Sequence, residues 1–236
     1  MGRLLTLAAV LVFSVTTARA GLFGRSKLFS RWTAVKIAVN GDDSEWVDSS
    51  AFEEDGLAIF AMNDAESLYL LITAHTREAR DQLSGESRQD LTLWFVGLDG
   101  KTREWGARIP FSHRAPLTSA LRDPAGLDPE PELVRYQGAQ ISSDTLPGEV
   151  ADRLAAAGRR PIWELKIPLK RVSISNEKAV DVDFVLNAPL GGAKRAAPPR
   201  IEKGEDSQGH HPEELVWNAQ SYSLSVRLAP DPSQPR

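Results

Sequence analysis

The clearest pattern in the chain is a pair of apolar runs, residues 57–62 and 68–75, each alternating with a period of two. Side chains alternate across a strand, so Leu57, Ile59 and Ala61 share one face, and Leu68, Leu70, Ile72 and Ala74 share one face of the next. Asn63-Asp64 opens the link at 63–67 with residues that tolerate turn dihedrals, which predicts an antiparallel hairpin. A hairpin this apolar is not stable alone in water and needs a second sheet over it. In residues 91–96, Leu91, Leu93 and Phe95 oppose Thr92, Trp94 and Val96. Apolar groups on both faces predict a central strand or one covered by a loop. Gly97 and the turn signal Asp99-Gly100 end it, and 101–110 returns as its partner.

Three later runs also alternate. Trp163, Leu165 and Ile167 interleave with Glu164 and Lys166; Val180, Val182, Phe184 and Leu186 interleave with Asp181 and Asp183. Each predicts a strand with one wet face. In 221–228, Tyr222, Leu224, Val226 and Leu228 point inward and the serines outward. Weaker patterns predict a first strand at 34–39, an acidic loop at 50–55 and a strand at 132–141. One or two helical turns are expected at 77–83. A helix is expected at 148–157, with Val150, Leu154 and Ala157 on one side and Gly158 to stop it. Residues 21–33 read as a loose lead-in, 111–131 as a surface excursion, 189–214 as a long polar loop and 230–236 as a disordered tail. About nine short strands without βαβ alternation predict one antiparallel β-sandwich over 34–229, of jelly-roll or immunoglobulin-like layering, with one or two short helices in the connections.

The first twenty residues change the setting. A basic start at Arg3, an apolar run at 4–15 and the small-x-small stretch ending at Ala20 form an export signal. The run is shorter than the roughly 20 residues that cross a bilayer. The expectation is a periplasmic or extracellular protein that is not membrane-spanning after cleavage. Loss of Arg3 and Arg19 makes a chain of net charge −4 two units more acidic. With no basic stripe, nucleic acid is not an expected partner. The absence of cysteine removes thiol catalysis, thiolate metal sites and lipid attachment at a cysteine after the signal.

Val39-Asn40-Gly41-Asp42-Asp43-Ser44-Glu45-Trp46, then Asn63-Asp64-Ala65-Glu66-Ser67-Leu68-Tyr69-Leu70, resembles the opening of family 9 carbohydrate-binding modules and of the wider DOMON-like sandwiches. Leu93-Trp94-Phe95 before Asp99-Gly100, and Glu164-Leu165-Lys166-Ile167-Pro168, resemble later phrases of that group. The pattern's usual first Asp is Asn40 here, and 111–148 does not align. The resemblance implies a sandwich, a non-catalytic role and a polysaccharide or oligosaccharide partner.

Sugar recognition rests on flat aromatic faces flanked by polar side chains. Of the six tryptophans, Trp163 and Trp46 read as core, whereas Trp94, Trp105 and Trp217 are the ligand-binding candidates. Trp94 and Trp105 flank one turn and are expected on the same side of a hairpin. Asp42, Asp43, Glu45 and Asp64 are hard-oxygen candidates for calcium, against the simpler reading that they fill turns. Met62 and His75, on the two strands of the central hairpin, are the axial pair that a haem-binding, electron-transferring DOMON-type domain would use; the plain alternative is packing. His210-His211 lacks a third metal ligand, and no nucleophile elbow, zincin helix, P-loop or dinucleotide fingerprint is present. Three readings stand: a secreted carbohydrate-binding module, a haem domain, or a cell-envelope structural module that has lost its ligand site.

Overall fold

The computed structural model describes residues 25–85, 89–110, 131–137, 140–157, 160–187 and 220–233. The expected export signal, Trp217, His210-His211, residues 111–130 and the 189–214 segment lie outside the described residues. The described chain forms β1 Ser26–Phe29, β2 Arg31–Trp32, β3 Ala51–Glu54, β4 Leu57–Asn63, β5 Ser67–Ala74, α1 Arg77–Leu83, β6 Asp90–Val96 and β7 Arg103–Ile109. β8 Glu132–Gln137, β9 Gln140–Thr145, β10 Ala151–Ala157, β11 Arg160–Pro168, β12 Ala179–Asn187 and β13 Gln220–Arg227 follow.

These strands build a β-sandwich. One sheet has seven strands in the order β1-β13-β12-β6-β7-β8-β9; the other runs β10-β11-β5-β4-β2, with β3 also paired to β4. All pairings are antiparallel except β1 with β13 and β2 with β4. The inward faces interlock in one core. Leu57, Ile59, Leu70, Ile72, Trp163 and Leu165 come from one sheet, and Leu93, Phe95, Trp105, Val182, Phe184 and Leu224 from the other. The central hairpin folds as its alternation predicts, Leu57 pairing Ala74 and Asn63 pairing Leu68. α1 begins at Thr76, whose side chain accepts from the Ala79 amide, and buries Ala79 and Leu83.

Four local expectations are corrected. Residues 34–39 form no strand; instead 26–32, expected as a loose lead-in, supply β1 and β2. The acidic loop at 50–55 contains β3, which turns into β4 through Asp55 and Gly56. Their φ values of 50° and 81° are the positive pair that a tight two-residue hairpin turn requires. The expected single strand at 132–141 is two, β8 and β9, paired from Glu132↔Thr145 to Gln137↔Gln140. The expected helix at 148–157 is β10, paired with β11 over its whole length. Alanine-rich composition favours a helix only weakly, and a full ladder of cross-strand bonds overrides it.

The outer face of the six-stranded sheet is not wet, contrary to the alternation of β11. Glu164 has no exposed surface, and residues 37–46 lie across this face with Ile37 and Trp46 packed on Met62, Tyr69, Leu71 and Ile162. The Glu164 carboxylate fastens that cover. Its Oε2 accepts from the Asn40 and Gly41 amides, both at 2.9 Å, and its Oε1 accepts from the Trp46 indole at 3.1 Å.

Candidate functional site

The outer face of the seven-stranded sheet is built differently. Register aligns Ser223, Asp183, Trp94, Gly106, Val134 and Ser143 in one row across β13, β12, β6, β7, β8 and β9. The next row is Ser221, Val185, Thr92, Arg108, Glu132 and Thr145. The Trp94 indole lies flat across β7 because its neighbour there is glycine. A Cβ on Gly106 would sit 3.0 Å from both the indole and the Leu93 carbonyl.

Tyr136 stacks on that indole, centroids 4.9 Å apart and planes 16° from parallel. With 45% of its surface exposed, Tyr136 is the accessible ring of the pair, whereas Trp94 is buried at 1%. The Arg103 guanidinium sits 5.6 Å from the indole centroid, donates to the Tyr136 hydroxyl at 3.5 Å and bonds Asp183 Oδ2 at 3.1 Å. Asp183 Oδ1 also accepts from Arg25 at 2.6 Å and Ser223 at 2.8 Å. Burial alone would raise the Asp183 pKa, but these donors and both arginine charges outweigh it and hold the carboxyl below its ordinary range. In the second row Arg108 bridges Asp90 Oδ2 at 3.4 Å and Glu132 Oε2. Among the described residues, two donors on this face have no partner: Trp94 Nε1 and the Thr92 hydroxyl, each on a residue only 1% exposed. Buried donors in folded proteins are almost always paired, so two orphans side by side on β6 stand out.

Trp94 is thus on the candidate face, and Trp105 is not. A two-residue turn at Asp99-Gly100 with no irregularity pairs residue 94 with 105 on one side. Instead Val96 pairs Arg103 while Phe95 pairs Trp105, leaving Glu104 as an extra residue in β7. A shift of one residue turns every later side chain to the opposite face. Trp105 accordingly stacks on Phe95 inside the core at 4.4 Å and donates to the Arg171 carbonyl at 2.9 Å. Trp46 and Trp163 are core residues.

Three of the four acidic candidates, Asp42, Asp43 and Asp64, bond groups of the chain itself. Asp42 accepts from the Ser44 amide, and Asp43 pairs with Arg160 at 3.0 Å. Asp64 accepts from the Glu66 and Ser67 amides at 2.7 Å and from the Tyr69 hydroxyl at 2.8 Å. Among the described residues no group of three or more His, Cys, Asp or Glu side chains is arranged to hold a metal ion. Met62 and His75 do not meet. Met62 pairs Tyr69 near one end of the central hairpin, and the His75 amide bonds the Gly56 carbonyl beyond the other end. Six residues of strand separate Gly56 from Met62, about 20 Å at 3.3 Å per residue. No single iron spans that distance. Met62 is fully buried and its sulfur accepts from Arg31 at 3.4 Å, so packing explains it.

Sequence reasoning missed Tyr136, Arg103, Arg108 and Glu164. The outward position of Asp183 was visible in the β12 alternation. The others depend on strand pairing across long connections, which no local pattern carries.

No protein-family model matches the chain, and no curated protein matches it. Among solved structures, a family 9 carbohydrate-binding module from Caldicellulosiruptor kristjanssonii in complex with cellotriose aligns with a TM-score of 0.43 at 8% identity, covering 89% of this chain and 98% of that one. The glucose complex of a family 9 module from the same organism aligns at 0.42 and 9% identity, covering 89% and 100%. Among the described residues no helix is long and apolar enough to cross a membrane.

Proposed function

We propose that this chain is an exported, non-catalytic carbohydrate-binding module whose ligand lies on the outer face of the seven-stranded sheet. The observation that carries the reading is the Trp94–Tyr136 stack, a half-exposed ring held rigid by a buried one and flanked by fixed polar groups. A pyranose presents a C–H face that packs on such a ring while its hydroxyls meet hydrogen-bonding side chains at the edge. Here those side chains are Arg103 and Asp183 on one side and Arg108 and Glu132 on the other. Arginines locked by carboxylates keep their remaining N–H groups in fixed directions, which lowers the entropy lost on binding.

The test is calorimetric titration of the full chain with neutral oligosaccharides, glucose-based ones first. Tyr136→Ala is expected to weaken binding about tenfold, equivalent to about 1.4 kcal/mol, with little change in melting temperature. Unaltered affinity in that variant, or no binding across a broad panel of neutral glycans, would remove the reading.

A further inference from the structure

A separate open groove of about 700 Å³ lies at the other sheet, between the β4–β5 turn, the start of β10 and the end of β11. That volume falls within the roughly 300–1,000 Å³ typical of small-molecule sites. Small residues make room for it: Ala65, Gly148 and Ala151 on two sides, with Pro168 and Leu169 as an apolar wall. Ala151 stands opposite Lys166 in the β10–β11 register, so the residue across from this lysine contributes only a methyl group.

The lining sets two cations, Lys166 and Lys170, against two carboxylates, Glu66 and Glu149. Glu149 is already shared, with Lys170 at 2.5 Å and with Arg171, and these two donors hold its carboxyl below the usual range. Lys166 is half-buried, with its ammonium 6.0 Å from the Tyr69 ring centroid and no carboxylate within ion-pair distance among the described residues. Half-buried and without a counter-ion, this cation favours an anion from outside.

We propose that this groove is a second binding site, independent of the sheet face, for a small hydroxylated carboxylate of the uronate class. The ligand carboxylate is seated on Lys166, the sugar ring rests against Pro168 and Leu169, and Glu66 at the rim accepts from ring hydroxyls. The experiment titrates the full chain separately with glucuronate, glucose and inorganic phosphate, following the amide resonances of Gly148, Ala151 and Lys166. Saturable shifts with glucuronate are expected, absent with glucose and much weaker with phosphate. Lys166→Gln is expected to weaken glucuronate binding about tenfold. Ala151→Glu, an exposed edge change that supplies a competing carboxylate opposite Lys166, should abolish it. Tyr136→Ala should leave it intact, which separates this site from the sheet face. Unmoved groove amides, equal responses to phosphate and glucuronate, or undiminished binding by both groove variants would overturn the proposal.

Discussion

The two outer faces of the sandwich occupy equivalent positions and are finished in opposite ways. Residues 37–46 cover the middle of the six-stranded sheet, and the carboxylate buried beneath them is matched: Glu164 meets two amides and an indole N–H. The seven-stranded sheet also buries a tryptophan, yet among the described residues its N–H and the neighbouring Thr92 hydroxyl have no acceptors. It sets a half-exposed tyrosine over the indole and flanks the pair with two locked arginines, Arg103 and Arg108, both on β7. Satisfied burial marks the first face as architecture. The accessible Tyr136 ring over a buried indole sets the second face apart, and it is the face proposed above to bind a ligand.

The sharpest way to break this contrast is to remove the fastening of the closed face. Glu164→Ala leaves the Asn40 and Gly41 amides and the Trp46 indole without their acceptor, at a cost of about 4 kcal/mol. For a chain of this size that lowers the melting temperature by about 10 °C, measurable by calorimetry. Glycan affinity extrapolated to the folded protein should not change. Gly41→Ala attacks the same cover from the backbone side. Gly41 has φ near +79°, and an added Cβ would lie 2.2 Å from the Ala155 Cβ. The expected loss is about 2 kcal/mol, read from chemical denaturation. On the open face the pattern reverses: Tyr136→Ala removes one stacked pair, worth about 1 kcal/mol of stability, while glycan binding falls about tenfold.

Acidity distinguishes the faces more gently. Burial raises the Glu164 pKa above its ordinary value of 4.5, only partly offset by its hydrogen bonds. The folded form therefore takes up that proton more readily than the unfolded chain. Its contribution to stability grows as pH falls from the raised value toward 4.5 and is lost as pH rises again. Asp183 works the other way. Its depressed pKa gives a contribution fully present above the unfolded value of about 3.8 and lost as pH falls through the lower folded value. Denaturation curves across pH 2 to 7 should show Glu164→Gln flattening the slope above about 4.5 and Asp183→Asn flattening the one below about 3.8. Identical profiles in wild type and both variants would mean that neither carboxylate is held as described.

The sandwich was legible where a strand's own alternation carries the information. The central hairpin, β6, β11, β12, β13 and the short helix after Thr76 all follow from local periodicity and capping. What failed was decided at a distance. β10 is a strand because β11 pairs with it, and nothing in Ala-Asp-Arg-Leu-Ala-Ala-Ala announces that partner. Residues 34–39 resemble a strand because Val35, Ile37 and Val39 alternate with Lys36 and Ala38, yet Ile37 serves as cover for another strand's outer face. The candidate site was half legible. Trp94 was singled out, but a single inserted residue in β7 sends Trp105 into the core, and Tyr136 takes the place beside Trp94 from a strand about forty residues further on.

The most direct test of the open face is to map amide shifts in the full chain during titration with a neutral oligosaccharide. Binding to that face requires shifts clustered at Trp94, Gly106, Val134 and Tyr136, lost in Tyr136→Ala. Shifts confined to residues 37–46, or to the core-facing Trp105 without its neighbour Gly106, would contradict it.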